Sequence, residues 1–528
     1  MALNLNIPAL VEKPFIIADT RPQKISQSLA NLENQNPLDT ASHLQIELEI
    51  LNRQKVSPSN RIQALDSYRP SLMGTAQALA EDYSNAALPL HDKAKVAAAA
   101  AESLWLELAY GYKLALVDLQ NQLIKLGTDK SSAHAIQRAM HAIAEHALVH
   151  YQTYTSLPNH IWGDLHQLYF CAVQLGVQNA KVGAEKLGSE PSPGLETSIE
   201  NTYKHALLMS LADPQHLTQK DIRLIAEFLA YLVRDAQITA VTPLESSSGA
   251  FIINLSSNAP PVPYSKQQEA PDPSADILLL TMDLVRTIHQ RLSNLQNNQL
   301  PKDGSIPIDA NRSDYIDLLT YLIKHWGITP KRFFNRTQKN GELEIVLGIS
   351  AIHHLSDNEL TTINVTNKPA DAELNTLQVK QAIPSRWKIL NISATGMSIR
   401  RHPTAEKNIK IGSLLGIKLK GAHNWSLGLV RWASCGIRDR LDIGVQLIAP
   451  QARSATARIN GRDSDDVVLL LPQIIAVKQA ATIIAPIGTF EPARQLTLAY
   501  NNESKHVMLT KLVERSHHFE RIQYSVIS

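Results

Sequence analysis

Cysteine is almost absent from this chain: Cys171 and Cys435 are the two among 528 residues, far apart and outside any CxxC. That excludes a disulfide framework and a thiolate zinc site, and it fits a reducing compartment. Aromatic residues are scarce, at 5%, and no run of about 18 apolar residues occurs, which argues against a membrane-spanning helix. The start, MALNLNIPALVEKPFII, carries neither a basic leader nor a long apolar stretch. The expectation is a cytoplasmic protein. An excess of one charge is missing as well, since 51 Lys and Arg face 49 Asp and Glu for a net +2. No global field holds such a chain to nucleic acid or to an anionic membrane, so any anion site is local. Also missing are G-x-S-x-G, a P-loop, a GxGxxG between strand and helix, and H-E-x-x-H, so the expectation is no enzyme.

What is present divides the chain. Residues 1–40 contain Pro8, Pro14, Pro22 and Pro37 without a sustained period and read as an extended arm. From 41 to 240, alanine- and leucine-rich segments have helical spacing, notably 93–126, 132–155, 159–181, 197–211 and 219–236. Breaks at Gly127, Pro158, Gly188 to Gly194 and Asp213-Pro214 suit helical hairpins packed side by side. Trp162, Leu165, Leu168 and Tyr169 faintly resemble the first helix of a tetratricopeptide repeat, but no 34-residue period recurs. Residues 241–275 read as one strand, 251–255, and then a proline-rich linker. A helical hairpin follows at 276–327, whose second helix aligns Ile316, Leu319, Ile323 and Trp326 in a stripe expected to dock on the next element.

Beyond Glu342 helical periodicity gives way to short alternating runs, at 343–350, 387–393, 396–401, 413–420, 426–434 and 441–448. They predict a small antiparallel barrel over about 328–460, with a polar insertion at about 356–382. A further small β unit is expected over 461–528. The fold class is multidomain α+β, an all-α helical-hairpin bundle followed by β-barrel structure.

Two histidine groups invite a metal reading. His134, His141, His146 and His150 share one predicted helix, with His146 and His150 four apart on one face. Glu145 lies about 100° round that helix from His146, and no ligand at suitable spacing completes a site, so these histidines read as structural and no metal is assigned. His353 and His354 lie next to each other in a predicted strand and face opposite sides, so they too read as structural.

The residues that carry chemistry come from the barrel. Arg332-Phe-Phe-Asn-Arg336 is followed by Asn391-Ile-Ser393-Ala-Thr-Gly396, then Gly428-Leu-Val430-Arg-Trp432, then Gly444-Val445. Each piece alone is common; their order is not. Together they resemble the PilZ domain family of cyclic di-GMP receptors, which is recognised by RxxxR, (D/N)xSxxG, G-x-V-x-W and a closing G-V strand. The gap of 55 residues from Arg336 to Asn391 is longer than the family's usual spacing, and the insertion accounts for it.

The resemblance implies that Arg332, Arg336, Asn391, Ser393 and Gly396 bind cyclic di-GMP, with Lys331 and Arg386 as second-tier candidates. The chemistry fits. A guanidinium forks onto phosphate or onto guanine O6 and N7, and stacks on a purine. Asn391 and Ser393, two apart on a strand, can offer amide and hydroxyl to a guanine edge, while Gly396 allows a tight turn and a close backbone approach. Asparagine in place of aspartate removes a charged acceptor. Arg400, Arg401, Arg431 and Arg438 are expected to do nothing specific. The functional expectation is a cyclic di-GMP effector without a cofactor, acting on a protein partner through its helical region in bacterial motility, attachment or biofilm control. The alternative is a scaffold whose barrel has lost the nucleotide.

Overall fold

The computed structural model describes the chain except residues 1–2, 33–34, 122–127, 184–196, 268–269, 302, 308–310, 329–336, 362–382, 406–407, 461–463, 474–479, 517 and 528. Lys331, Arg332, Arg336 and most of the predicted insertion therefore lie outside the described residues. The chain divides into two compact units, Met1–Ala86 with Leu90–Lys331, and Ala87–Pro89 with Arg332–Ser528.

The first unit begins with α1 (Pro22–Ala30), α2 (Pro37–Arg53), α3 (Pro58–Tyr83), α4 (Asp92–Gln120), α5 (Thr128–Thr153) and α6 (Ile161–Gln174). After the short pair β1 (Lys181–Val182) and β2 (Thr197–Ser198) come α7 (Ile199–Leu211) and α8 (Gln219–Leu232). Starts are set locally: Asn36, Ser57, Ser198 and Thr218 accept a hydrogen bond from the first turn of α2, α3, α7 and α8, which satisfies donors that the helix leaves open. The residues 1–40, expected to be extended, thus hold α1 and the start of α2, because proline is tolerated in a first turn. The segment 159–181 ends its helix at Gln174, ahead of Gly176 at φ 68°.

α4 is the hub, packing against α2, α3 and α5. Its alanines 94, 97, 98 and 101 are buried and let neighbours approach closely. At Gly111 an added Cβ would lie 2.6 Å from Leu65. Trp162, Leu165, Leu168 and Tyr169 are core residues of α6, which is explanation enough for their spacing. One buried ion pair crosses the bundle, Lys113 Nζ to Asp164 Oδ2 at 2.7 Å.

The unit continues with β3 (Gln237–Ala240), β4 (Ala250–Asn254), β5 (Val262–Pro263) and β6 (Asp276–Leu280), which form one sheet in the order β3-β6-β4-β5. This corrects the linker expected at 256–275. Asn254 pairs directly with Asp276, so the proline-rich stretch leaves and re-enters one sheet and cannot serve as a hinge between domains. Next come α9 (Met282–Gln296) and α10 (Arg312–Gly327). α10 buries Tyr315, Leu318, Leu319, Leu322 and Trp326 and packs against α9 and α7. Trp326 Nε1 donates to the Leu208 carbonyl at 3.1 Å. Of the predicted stripe, Leu319 and Trp326 are buried, while Tyr315 and Leu322 take the places expected for Ile316 and Ile323, and the helix packs on the preceding helices α9 and α7.

The second unit contains β7 (Thr337–Leu347), α11 (Gly348–Thr361), β8 (Ser385–Ser393), β9 (Gly396–Arg401), β10 (Leu414–Leu419), β11 (Ser426–Gly436) and β12 (Arg440–Ala449). Its strands close into a barrel in the order β10-β11-β12-β9-β8-β7. A second closed barrel follows from β13 (Arg453–Ile459), β14 (Asp466–Leu471), β15 (Thr482–Ala485), β16 (Gln495–Tyr500), β17 (Glu503–Arg515) and β18 (Glu520–Val526). Closure removes the open edges that a small sheet would otherwise expose. The strand expected over 343–350 instead turns helical at Gly348, whose φ of 82° suits glycine. His353 and His354 are consequently helical and do not alternate across a strand. α11 sits on β13, β14, β10 and β7, and one apolar core joins Ile352, Leu414, Leu427 and Leu429 to Leu469, Ile484 and Phe519.

Candidate functional site on the barrel wall

β8 and β9 form a hairpin in which Ser393 pairs with Gly396 across the two residues Ala394 and Thr395. The Ser393 hydroxyl donates to the Gly396 carbonyl at 3.1 Å, and the Leu447 N–H donates to the Thr395 carbonyl at 2.9 Å, tying the turn to β12. Ser393 therefore spends its proton on the turn, which leaves its hydroxyl oxygen only as an acceptor. Gly396 does not take a positive φ. Its need is spatial: a Cβ there would lie 2.4 Å from the Val445 carbonyl oxygen, so glycine is required by the neighbouring strand.

The register assembles a row across five strands: Trp432 opposite Gly444, Gly444 opposite Ser398, Ser398 opposite Asn391, and Asn391 opposite Gln338. Directly opposed residues share a face of the sheet. The adjacent row, Ala433, Ile443, Ile399 and Ile389, points into the barrel and is 0 to 3% exposed. By alternation the row with Asn391 points outward. Asn391 and Ser393 are joined by regular pairing with Ser398 and Gly396, so both lie on this outer wall. The Asn391 amide makes no hydrogen bond to another described residue and is half-buried.

Trp432 explains the spacing of G-x-V-x-W and the closing G-V. A Cβ on Gly444 would fall 1.7 Å from Trp432 Nε1, so the indole lies flat over the glycine in the next strand. Its half-buried ring gives the outer wall an apolar floor in the same row as Asn391. Gly444→Ala is expected to destabilise the barrel by about 1–3 kcal/mol through overpacking, read as a lower denaturant midpoint at unchanged slope. In a Trp432→Ala background the same change should be nearly neutral. A full loss in both backgrounds would show that the glycine serves something other than the indole.

Most basic residues near this wall are already engaged. Arg400 Nε and Nη2 donate to Asp442 at 2.6 and 2.8 Å, and that carboxylate raises the Arg400 pKa. Arg431 bonds Gln446 at 2.7 Å and Glu514 at 2.5 Å. Arg401 is buried and caps the Ala405 carbonyl. Burial and nearby Asp439 and Asp442 push the Cys435 thiol up to about 12, so it is no nucleophile. Arg386 is exposed but opposite Glu344 and about 16 Å along β8 from Asn391 by strand rise. The structure does not bring it to the Asn391 pair; Lys388, which the sequence reading passed over, is nearer and also exposed.

The arginine motif enters through chain connectivity. Thr337, the residue after Arg336 in sequence, pairs with Ile392, the residue between Asn391 and Ser393. The described chain therefore resumes, directly after the arginine motif, on the strand that pairs with the Asn391 motif.

Comparison with known families agrees along almost the whole chain. Residues 23–243 match the N-terminal domain model of the cyclic-di-GMP receptor FimW, residues 250–388 and 355–454 its middle PilZ domain, and residues 460–527 its C-terminal β-barrel domain. The chain belongs to the PilZ-type cyclic-di-GMP receptor family. The Cyclic-di-GMP receptor FimW of Pseudomonas aeruginosa is 24% identical over 580 aligned positions, covering 99% of this chain and 93% of that protein. The middle PilZ match begins at residue 250, upstream of β7, and so takes in β4 to β6, α9 and α10 together with the barrel. Among the described residues no helix is long and apolar enough to cross a membrane.

Proposed function

We propose that this chain binds cyclic di-GMP on the outer wall of its first barrel and passes that signal to a protein partner. The observation that supports the reading is the Thr337–Ile392 pairing, which sets the residue after Arg336 in sequence opposite the one that separates Asn391 from Ser393. Arg332 and Arg336 would supply forked donors to the two phosphodiesters and to guanine. Asn391 would donate to guanine O6 or N7, or accept from N1 and N2, while Ser393 accepts and Trp432 offers an apolar surface. Lys331 stands as a further cation beside the first arginine.

The protein is in this reading a cytoplasmic effector, without catalytic activity or cofactor. Its helical part, residues 41–240, engages the output protein, and the family resemblance points to motility, attachment or biofilm control. Calorimetric titration of the full chain with cyclic di-GMP is the test. We expect saturable binding at micromolar concentration or tighter, weakened about 10-fold in Asn391→Ala, the loss of one hydrogen-bonding side chain. Absence of heat with wild type would leave the barrel as a scaffold. Appearance of linear dinucleotide would overturn the non-catalytic assignment.

A further inference from the structure

The histidines of α5 have a third neighbour that their own helix could not supply. His146 and His150 lie one turn apart on α5, and Glu102 comes from α4. One ligand atom from each falls within 4.8 Å of the others. We propose that Glu102, His146 and His150 form a binding site for a divalent transition-metal ion, with Zn²⁺ the best match.

Both rings are already oriented for this. His146 Nδ1 is 3.0 Å from the Glu102 carbonyl oxygen, and His150 Nδ1 is 2.8 Å from Thr155 Oγ1. Partners of this kind on Nδ1 fix the ring and leave Nε2 for an ion. His146 is 2% exposed, yet its Nε2 has no hydrogen-bond partner, an arrangement that costs free energy unless something else uses the lone pair. His150 Nε2 lies 2.7 Å from Glu102 Oε1, so the carboxylate already stands beside the ring nitrogen that an ion would take.

Two imidazoles and one carboxylate are a zinc-type donor set, with ligand atoms about 2.0–2.2 Å from the ion. Tetrahedral ligand atoms are then about 3.4 Å apart, so the present separations close on an ion through side-chain rotation alone. The Glu102 side chain is 37% exposed, which leaves the fourth position open to water. His150 also borders a cavity of about 370 Å³ with Thr155, Asp213 and Pro214, giving an ion a way in. The bound ion would clamp α4 to α5. This revises the reading of His146 and His150 as structural, and it stands independently of nucleotide binding.

The test uses the full chain stripped by a chelator and titrated with Zn²⁺, with Co²⁺ as a spectroscopic substitute. We expect one equivalent of Zn²⁺ to bind, a tetrahedral Co²⁺ absorption band, and a rise in melting temperature of about 5 °C at saturating metal. Glu102→Gln, an isostere, and His146→Asn should lose affinity by more than about 100-fold, beyond what loss of an outer-shell partner costs. The melting temperature of each metal-free variant separates lost binding from lost folding. Wild-type affinity weaker than about 100 µM, or binding that survives in a folded Glu102→Gln, overturns the site.

Discussion

Arg332→Ala combined with Arg336→Ala is expected to weaken cyclic di-GMP binding by about 10²–10⁴-fold, since each charge-assisted contact is worth about 1.5–3 kcal/mol. The ligand carries two phosphodiester charges, and the other basic side chains of the outer wall are largely committed elsewhere. Arg400 is held by Asp442 and Arg431 by Glu514, so neither is available to substitute without breaking its own ion pair. The corresponding lysine pair retains charge but not the planar fork, and should recover only part of the affinity. Raising salt should weaken wild-type binding more than that of the alanine double variant, because screening acts on the charges that the latter lacks. Equal affinity of wild type and double variant in calorimetry would remove the arginines from the site.

Lys113→Met is expected to destabilise the helical unit by about 3–5 kcal/mol, the cost of leaving a buried charge without its partner. Lys113 on α4 is 1% exposed and Asp164 on α6 is 2% exposed, and Nζ lies 2.7 Å from Oδ2. The other carboxylate oxygen accepts from the Asn6 N–H at 2.9 Å, so Asp164 also holds the N-terminal segment. Burial lowers the Lys113 pKa more than Asp164 restores it, which marks the pair as a site where solvent has been surrendered for a single strong partner. Adding Asp164→Asn to Lys113→Met removes the orphaned charge and keeps an acceptor for Asn6. The double variant should therefore regain most of the loss, measured as the denaturant midpoint of the helical transition. Equal stability of the single and double variants would mean that Asp164 becomes solvated or protonated when its partner is gone.

The metal site and the nucleotide wall show different degrees of legibility. His146 and His150 are visible as an i, i+4 pair, but Glu102 stands 44 positions before His146, and nothing in either segment announces their meeting. The barrel motifs among the described residues were legible because each is short and tied to a local need: a turn, or a close strand. Trp432 was legible as part of a motif but not as a neighbour of Asn391, since that relation runs through Gly444 and Ser398 on two intervening strands. Arg386 was proposed from proximity in sequence, and strand rise carries it away.

By itself the amino-acid order determined the division into helical and β parts, the family of the barrel, and the residue types able to hold a doubly anionic dinucleotide. Periodicity, caps and turn residues act over a few positions, so they can be read along the chain. Only the tertiary structure decided that 255–275 returns to its own sheet, that Gly348 begins a helix, that one row of the outer wall unites Trp432 with Asn391, and that Glu102 faces two histidines. Those outcomes rest on register and on packing between residues tens of positions apart, where many partners are compatible with the same local pattern and burial of the whole core selects one.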